Sequence, residues 1–204
     1  MNKFNFEWLE KKSISGLQYT CGYCGTFTAP AVGWHTKPAT VVNDTEIGYV
    51  LICTYCNRPS FGHYIISKNE FKSLTPSARM GKEVDGLPDD VAILYDEVRK
   101  CSSAGAYTAA VLTCRKILMH VAVEKEAPEN KNFIEYVNYL TEKNYIPSDG
   151  KDWVDHIRTK SNEANHEIHI MSAEDAEDLI TFTEMLLRLV YEFKNRLAKK
   201  SATP

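Results

Sequence analysis

Two pairs of cysteines, each separated by two residues, are the residues of this chain best suited to chemistry. The first pair is Cys21 and Cys24, and the second pair is Cys53 and Cys56. A Cys-x-x-Cys pair on a tight turn directs two thiolates at one ion, and two pairs complete the tetrahedral four-sulfur shell of a structural Zn²⁺. The spacing therefore predicts one zinc ion per chain. Its role is structural, because four protein ligands leave no coordination position open for catalysis.

Other interpretations of the cysteines stay open at this point. The four residues could be reduced structural thiols, or they could form disulfides. A thioredoxin-like redox role is not favoured, because both pairs lack the β-α-β context of such a site. His35 and His63 could replace a cysteine as a ligand or bind a second ion. Gly25 follows the first pair, where the turn favours a residue that tolerates positive φ.

The residues around the cysteines have the pattern of a small β domain. Strands are predicted for residues 26–32 and 47–52, with a loop rich in Pro, Thr and Asn between them. A further strand-like apolar run covers residues 61–66. Residues 1–72 are therefore predicted to form a β zinc ribbon. A linker of small and turn-forming residues is predicted for residues 73–86.

The second part of the chain has a helical pattern. Apolar residues repeat there at three- and four-residue spacing, which is typical of amphipathic helices. Ser172 and Asp175 have the spacing of a capping box at the start of the last and longest helix. The first predicted helix begins at Asp89. The second follows Ser103, has its apolar face between residues 107 and 121, and ends before Pro128. The others cover residues 132–143, run from about residue 149 to 162, and begin again at Ser172. Residues 87–200 thus predict an all-α bundle, and the fold class is α+β.

The charge distribution excludes a strongly basic nucleic-acid binder. The formal net charge is −3, with an excess of +3 in residues 1–84 and of −6 in residues 85–204. Four thiolates around one Zn²⁺ would add about −2 to the first part. Cations and aromatic residues between positions 58 and 82 predict either a modest basic-aromatic strip or a solvated surface of the zinc ribbon. These residues are Arg58, Phe61, Tyr64, Lys68, Phe71, Lys72, Arg79 and Lys82.

Cysteine usage and the N-terminus predict a cytoplasmic protein. No apolar run reaches the length of a membrane span. Residues 1–7 lack the continuous apolar core of a signal peptide. Paired Cys-x-x-Cys motifs without an export signal are typical of a reducing compartment. We therefore expect a cytoplasmic location and no contact with a membrane.

Several short motifs occur in a fixed order in the second part of the chain. They lie at residues 105–111, 115–118, 157–167 and 172–176. Their order and spacing resemble the bacterial family catalogued as domain of unknown function 4145, over roughly residues 86–195. The resemblance implies a helical domain related to the HEPN superfamily, which includes metal-independent ribonucleases of toxin and phage-defence systems. It also implies that an N-terminal zinc ribbon is common in the family.

The segment from Arg158 to His166 contains the candidate catalytic residues. On a helix Arg158, Asn162 and His166 step by four residues and share one broad face. The histidine could act as general acid or base in phosphodiester cleavage, and the arginine could stabilise the phosphorane. In the nucleases of the similar superfamily, the arginine lies closer to its histidine than Arg158 does. Lys160 lies close enough but lacks the guanidinium fork, and Ser161 stands where that arginine is expected.

The sequence leaves two classes of function. The first is a non-enzymatic cytoplasmic module that binds a protein, RNA or DNA partner, in a phage-defence setting. The second is a metal-independent endoribonuclease that uses His166 with Arg158 or Lys160. Ser161 and the acidic balance of residues 85–204 favour the module, because a negative surface repels an RNA backbone. Asn162 and His166 would then hold a helix junction. Similarity to HEPN-like domains, together with the long apolar stripe of the last helix, predicts a homodimer.

Overall fold

The chain divides into two compact units, one of strands and one of helices. The computed structural model describes residues 7–41, 43–147 and 170–196. The units are Met1–Arg79, here called the β unit, and Met80–Pro204, here called the helical unit. Among the described residues the first unit contains strands and no helix, and the second contains helices and no strand. The fold class is therefore α+β, as predicted.

Two antiparallel sheets make up the described part of the β unit. Six strands form one sheet in the order β1-β4-β6-β7-β8, with β5 paired to β6. The pair β2 and β3 forms a separate two-stranded sheet. In chain order the strands are Lys12–Ser13, Tyr19–Thr20, Phe27–Thr28, Val32–His35, Ala39–Val41, Asp44–Ile52, Pro59–Ile65 and Glu70–Thr75, numbered β1 to β8.

The cysteine pairs occupy the turns between neighbouring strands of this unit. The first pair lies between β2 and β3, and the second lies between β6 and β7. The apolar core of the unit surrounds the cysteines and is small. It consists of Ile14, Leu17, Tyr19, Leu51 and Tyr64 together with three buried cysteines, Cys21, Cys53 and Cys56. So small a core leaves much of the unit's stability to be supplied by other bonds.

The strand positions differ from the prediction in two places. The predicted strand at residues 26–32 is divided into β3 and β4, and the predicted loop that follows contains most of β4, all of β5 and the start of β6. The last strand, β8, was not predicted, and it includes residues 73–75 of the predicted linker. A register shift beside β7 places Phe71 opposite Tyr64 and Leu74 opposite Gly62. Phe71 and Leu74 thus share a face although they are three residues apart, which hides the two-residue period of a strand.

The helical unit contains four described helices around one apolar core. The helices are α1 (Asp89–Ser103), α2 (Tyr107–Glu124), α3 (Phe133–Glu142) and α4 (Ala173–Leu187). A π-helical turn at Arg188–Glu192 continues α4, and helical residues extend to position 196, which makes this the longest helical run of the described residues. Helix α2 contacts α1, α3 and α4, so it lies at the centre of the packing. Among the described residues, no helix is both long and apolar enough to cross a membrane.

The predicted apolar faces of these helices are the buried ones. Fully buried residues of α2 include Ala110, Cys114, Ile117, Leu118 and Val121, which recur at three- and four-residue spacing. The capping box predicted at Ser172 and Asp175 is present at the start of α4. A second capping box, formed by Asn132 and Glu135, begins α3 and was not predicted. The helix predicted near residues 149–162 lies outside the described residues.

Candidate metal centre

The two cysteine turns have the same backbone structure. The N–H of Gly25 donates to the carbonyl of Cys21 at 2.8 Å, and the N–H of Asn57 donates to the carbonyl of Cys53 at 2.9 Å. Gly25 has a φ of 71° and Asn57 a φ of 60°, so each turn ends in a left-handed residue. The positive φ expected at Gly25 is confirmed. Glycine and asparagine adopt this conformation at the lowest cost, which explains their position directly after each pair.

The four sulfur atoms form one compact cluster. All four lie within 4.8 Å of one another. The Sγ atoms of Cys21 and Cys56 are 3.7 Å apart, and those of Cys24 and Cys53 are 3.8 Å apart. A tetrahedral site with metal–sulfur bonds of about 2.3 Å has sulfur–sulfur edges of about 3.8 Å. Each of these two close contacts joins one turn to the other, so the arrangement is compatible with one metal ion shared by both turns. All four cysteines are free.

Burial makes isolated thiolates unfavourable at this position. Cys21, Cys53 and Cys56 are at most 3% exposed. Burial raises the pKa of the Cys21 thiol to about 11, and burial also raises the pKa of Cys56. At Cys24 burial raises the pKa as well, but hydrogen bonds, first those with Thr26, outweigh it and lower the pKa to about 7. A bound cation would supply the charge that these buried thiolates lack, so the donor set fits a metal ion.

Contacts outside the sulfur cluster also join the two turns. Arg58, directly after the second turn, places its guanidinium 5.2 Å from the ring centre of Tyr23 in the first turn. Tyr19 is buried beside the cluster: burial, followed by repulsion from the Cys21 and Cys53 thiolates, raises its pKa. The cluster is thus enclosed by side chains from both turns and the adjoining strand. This closed surrounding is typical of a structural site.

Gly22, the first of the two residues between Cys21 and Cys24, has no room for a side chain. A Cβ atom at Gly22 would lie 2.2 Å from the carbonyl oxygen of Ser77 and 2.4 Å from that of Pro76. Arg79 donates from its Nε to the carbonyl of Gly22 at 3.0 Å. The segment after β8 therefore covers the first cysteine turn. The sequence did not indicate this role for Gly22, because the contact joins residues far apart in the chain.

The two histidines considered as alternative ligands lie elsewhere on the β unit. Among the described residues, the group suited to a metal ion contains the four cysteines and neither histidine. The Nε2 of His63 contacts the carboxylate of Glu46, and the Nδ1 of His35 is 2.9 Å from the carbonyl oxygen of Thr36. The alternative ligand sets are therefore not supported.

The predicted basic-aromatic strip does not form one surface. Strand β7 alternates, so Phe61 is 61% exposed on one face of the sheet while Tyr64 is 9% exposed and packs in the core on the other. Phe71 packs edge-on against Tyr64 with ring centres 5.1 Å apart. Arg58 stacks on Tyr23 of the first cysteine turn instead. The sequence placed these residues together because they are neighbours in the chain, whereas the pleat separates them.

The candidate catalytic residues lie outside the described part of the chain. Arg158, Lys160, Asn162 and His166 all fall between residues 148 and 169, so their arrangement stays a prediction. Arg115 begins the short motif at residues 115–118 and lies in α2, within the described part of the chain. Its guanidinium lies 4.7 Å from the ring centre of Phe133 in α3. Burial lowers the pKa of Arg115. This stacking joins two helices of the core.

Comparison with known proteins concerns the helical unit. Residues 96–202 match the family model described as Domain of unknown function (DUF4145). The match covers just over half of the 204 residues, begins within α1 and lies wholly after the cysteine cluster. No curated protein and no solved structure matches the chain.

Proposed function

The chain belongs to the family described as Domain of unknown function (DUF4145), and from this premise we propose that it is a non-catalytic binding module with an N-terminal zinc ribbon. The observation that carries the proposal is the four-sulfur cluster with its two equivalent turns. In this proposal one Zn²⁺ per chain joins Cys21, Cys24, Cys53 and Cys56.

The donor set supports zinc as the metal. Four thiolates in tetrahedral arrangement suit Zn²⁺ or iron, and sulfur–sulfur edges of 3.7 and 3.8 Å fit a single central ion. A mononuclear site with four protein ligands has no position for water or substrate. The ion is therefore structural, and it compensates for the small apolar core of the β unit.

The position of the cluster supports a role in shaping a binding surface. The first turn belongs to the β2–β3 sheet, and the second turn connects β6 to β7 in the six-stranded sheet. A metal ion shared by both turns would hold the two sheets in one arrangement. The β unit then presents a rigid strand surface to a protein or nucleic-acid partner.

Other parts of the proposal rest on the sequence and on its resemblance to known helical domains. These are the HEPN-like character of the helical unit, a cytoplasmic location, a phage-defence setting and homodimer formation. A metal-independent endoribonuclease that uses His166 with Arg158 or Lys160 is the alternative from the same resemblance. The closed metal centre and the acidic helical half support the module.

Metal analysis tests the proposal directly. We expect elemental analysis of the purified chain to find one zinc per chain, and Cys24→Ser to remove it. Cys101→Ser is the matched control, because Cys101 is a partly buried cysteine of the helical unit and lies outside the cluster. A chain purified without metal, a chain with iron in place of zinc, or a Cys21–Cys24 disulfide would each contradict the proposal.

A further inference from the structure

One face of the six-stranded sheet has an open hollow of about 480 Å³. One row of the residues that line the hollow consists of Trp34, Val50, Phe61 and Thr75, which are direct neighbours across β4, β6, β7 and β8. Directly paired residues of adjacent strands share a face, so this row lies on one side of the sheet. A hollow of this volume is within the usual range of ligand sites.

A second row of residues lies on the same face and also lines the hollow. It consists of Gly48, His63 and Ser73, which are paired across β6, β7 and β8. Gly48 has no side chain, and the side chain of Thr36 lies beside it and also lines the hollow. We call the two rows together the Phe61 face: Trp34, Gly48, Val50, Phe61, His63, Ser73 and Thr75.

Aromatic surface is available on this face. Phe61 is 61% exposed although it lies on β7, an interior strand of the sheet. The apolar core of the β unit lies on the other face and does not include Phe61. Trp34 is half-buried and packs edge-on against Trp8 with ring centres 5.9 Å apart, which fixes the orientation of the indole. The Phe61 face thus presents one exposed aromatic ring and one supported aromatic ring beside the hollow.

The polar groups beside the hollow are arranged with the nitrogen atoms outward. Glu46 lies on the same face of β6 as Gly48 and is 5% exposed. Its carboxylate is paired with the Nε2 of His63 and, at 3.0 Å, with the Nζ of Lys72. His63 is 43% exposed and Lys72 is 50% exposed, so solvent meets the imidazole and the ammonium group rather than the carboxylate. This arrangement suits a ligand that combines planar rings with negative charge.

We propose that the Phe61 face binds single-stranded nucleic acid, with bases stacked on Phe61 and Trp34 and phosphates beside His63 and Lys72. The inference rests on the proposed function, since it names the partner of the zinc-supported β unit. Aromatic rings bind unpaired bases with little sequence preference, because every base has a π-face. Sheet surfaces with exposed aromatic residues are suited to splayed single strands.

The position of the hollow argues against other occupants. A peptide that extends the sheet would pair with the backbone of an edge strand, whereas the hollow lies on a face of the sheet, over side chains of β4, β6, β7 and β8. A double helix keeps its bases stacked inside and could not use Phe61. The few cations predict weak binding with a shallow salt dependence. Neutralising one or two phosphates gives a slope of log affinity against log salt of about −0.7 to −1.4 for single strands.

Fluorescence anisotropy with the zinc-loaded full chain tests the inference. The probes are labelled twelve-nucleotide oligothymidine and oligouridine at low salt, with a labelled duplex and labelled polyglutamate as competing partner classes. We expect both single strands to bind and Phe61→Ala to weaken them at least about fivefold, the effect of one lost base stack. Phe61→Leu should weaken them as much, and Phe61→Tyr should retain binding, because only tyrosine keeps the ring.

Phe27→Ala is the matched control. Phe27 is 66% exposed on β3, outside the Phe61 face, so its loss should leave binding unchanged. No binding of single strands, equal weakening by Phe27→Ala, or preference for the duplex or polyglutamate would overturn the inference. A wild-type chain that holds one zinc ion but binds no oligonucleotide would refute this inference and leave the proposed zinc module intact. A chain without zinc would refute the proposed function instead.

Discussion

The hydroxyl groups of Thr28 and Thr54 lie 2.5 Å apart and connect the two cysteine turns outside the sulfur cluster. Thr28 is on β3, directly after the first turn, and Thr54 lies between the two cysteines of the second turn. The polypeptide therefore holds the turns together through a bond of its own in addition to any metal ion. Pre-positioned ligands lower the conformational cost of binding an ion.

The contact of Gly22 with the segment after β8 predicts a strong effect of a single methyl group. Gly22→Ala would place Cβ 2.2 Å from a backbone oxygen, so the covering segment or the turn must move. We expect it to destabilise the β unit by more than about 3 kcal/mol and to speed zinc release. Denaturant unfolding and release to a chromogenic chelator measure the two effects.

Gly16→Ala provides the comparison for that prediction. Gly16 has a φ of 76°, and a Cβ added there would meet no neighbouring atom within 4 Å, so alanine at this position experiences only backbone strain. Strain of this kind costs roughly 1–2 kcal/mol. Equal effects of the two substitutions would show that crowding at Gly22 is relieved at no cost.

Acid should weaken the capping box that begins α3. The N–H of Asn132 donates to the carboxylate of Glu135, and this bond, followed by a hydrogen bond from Lys131, lowers the pKa of Glu135. A lowered pKa in the folded state means that the stabilisation is complete above the ordinary value of 4.5 and is lost as pH falls through the lowered value. Thermal melting of wild type should therefore decline more steeply below pH 4.5 than that of Glu135→Gln. Parallel declines would contradict the role of the carboxylate.

A buried carboxylate in the π-helical turn predicts unequal roles for two arginines. Glu192 is 2% exposed and accepts from Arg188 at 2.5 Å and from Arg196 at 2.6 Å. Arg188 is 25% exposed and also donates to the carbonyl of Glu83, whereas Arg196 is 63% exposed. Arg188→Ala should destabilise the helical unit by about 3 kcal/mol, because it leaves a buried charge undercompensated. Arg196→Ala should cost at most about 1 kcal/mol. Denaturation curves that show the reverse order would refute this assignment.

The choice between module and ribonuclease has a direct test. We expect total RNA and tRNA to remain intact when incubated with the purified chain in EDTA, and His166→Ala to give the same result. The prediction rests on Ser161, which stands where the nuclease arginine is expected, and on the acidic second half of the chain. Cleavage by wild type that His166→Ala abolishes, with unchanged melting, would establish the enzyme.

Local patterns in the sequence predicted much of this architecture. Cysteine spacing identified the four residues of the cluster, since two residues between ligands suit a single turn. The three- and four-residue apolar period identified α1, α2 and α3, and the capping box at Ser172 located the start of α4. Each of these features lies within a window of a few residues, where backbone geometry and chemistry act without help from the rest of the chain.

Features that depend on contacts between distant residues were decided by the tertiary structure. Strand β8 pairs with β7 through a register shift between His63 and Tyr64, so its apolar residues do not follow the two-residue spacing of a regular strand. Strand pairing gathers Trp34, Val50 and Phe61 into one row. Local periodicity specifies which residues a strand exposes on each side, but register specifies which residues of other strands lie beside them. Register depends on the packing of the whole sheet, so the sequence alone determined the cysteine cluster and the described helices, and the tertiary structure determined the surface.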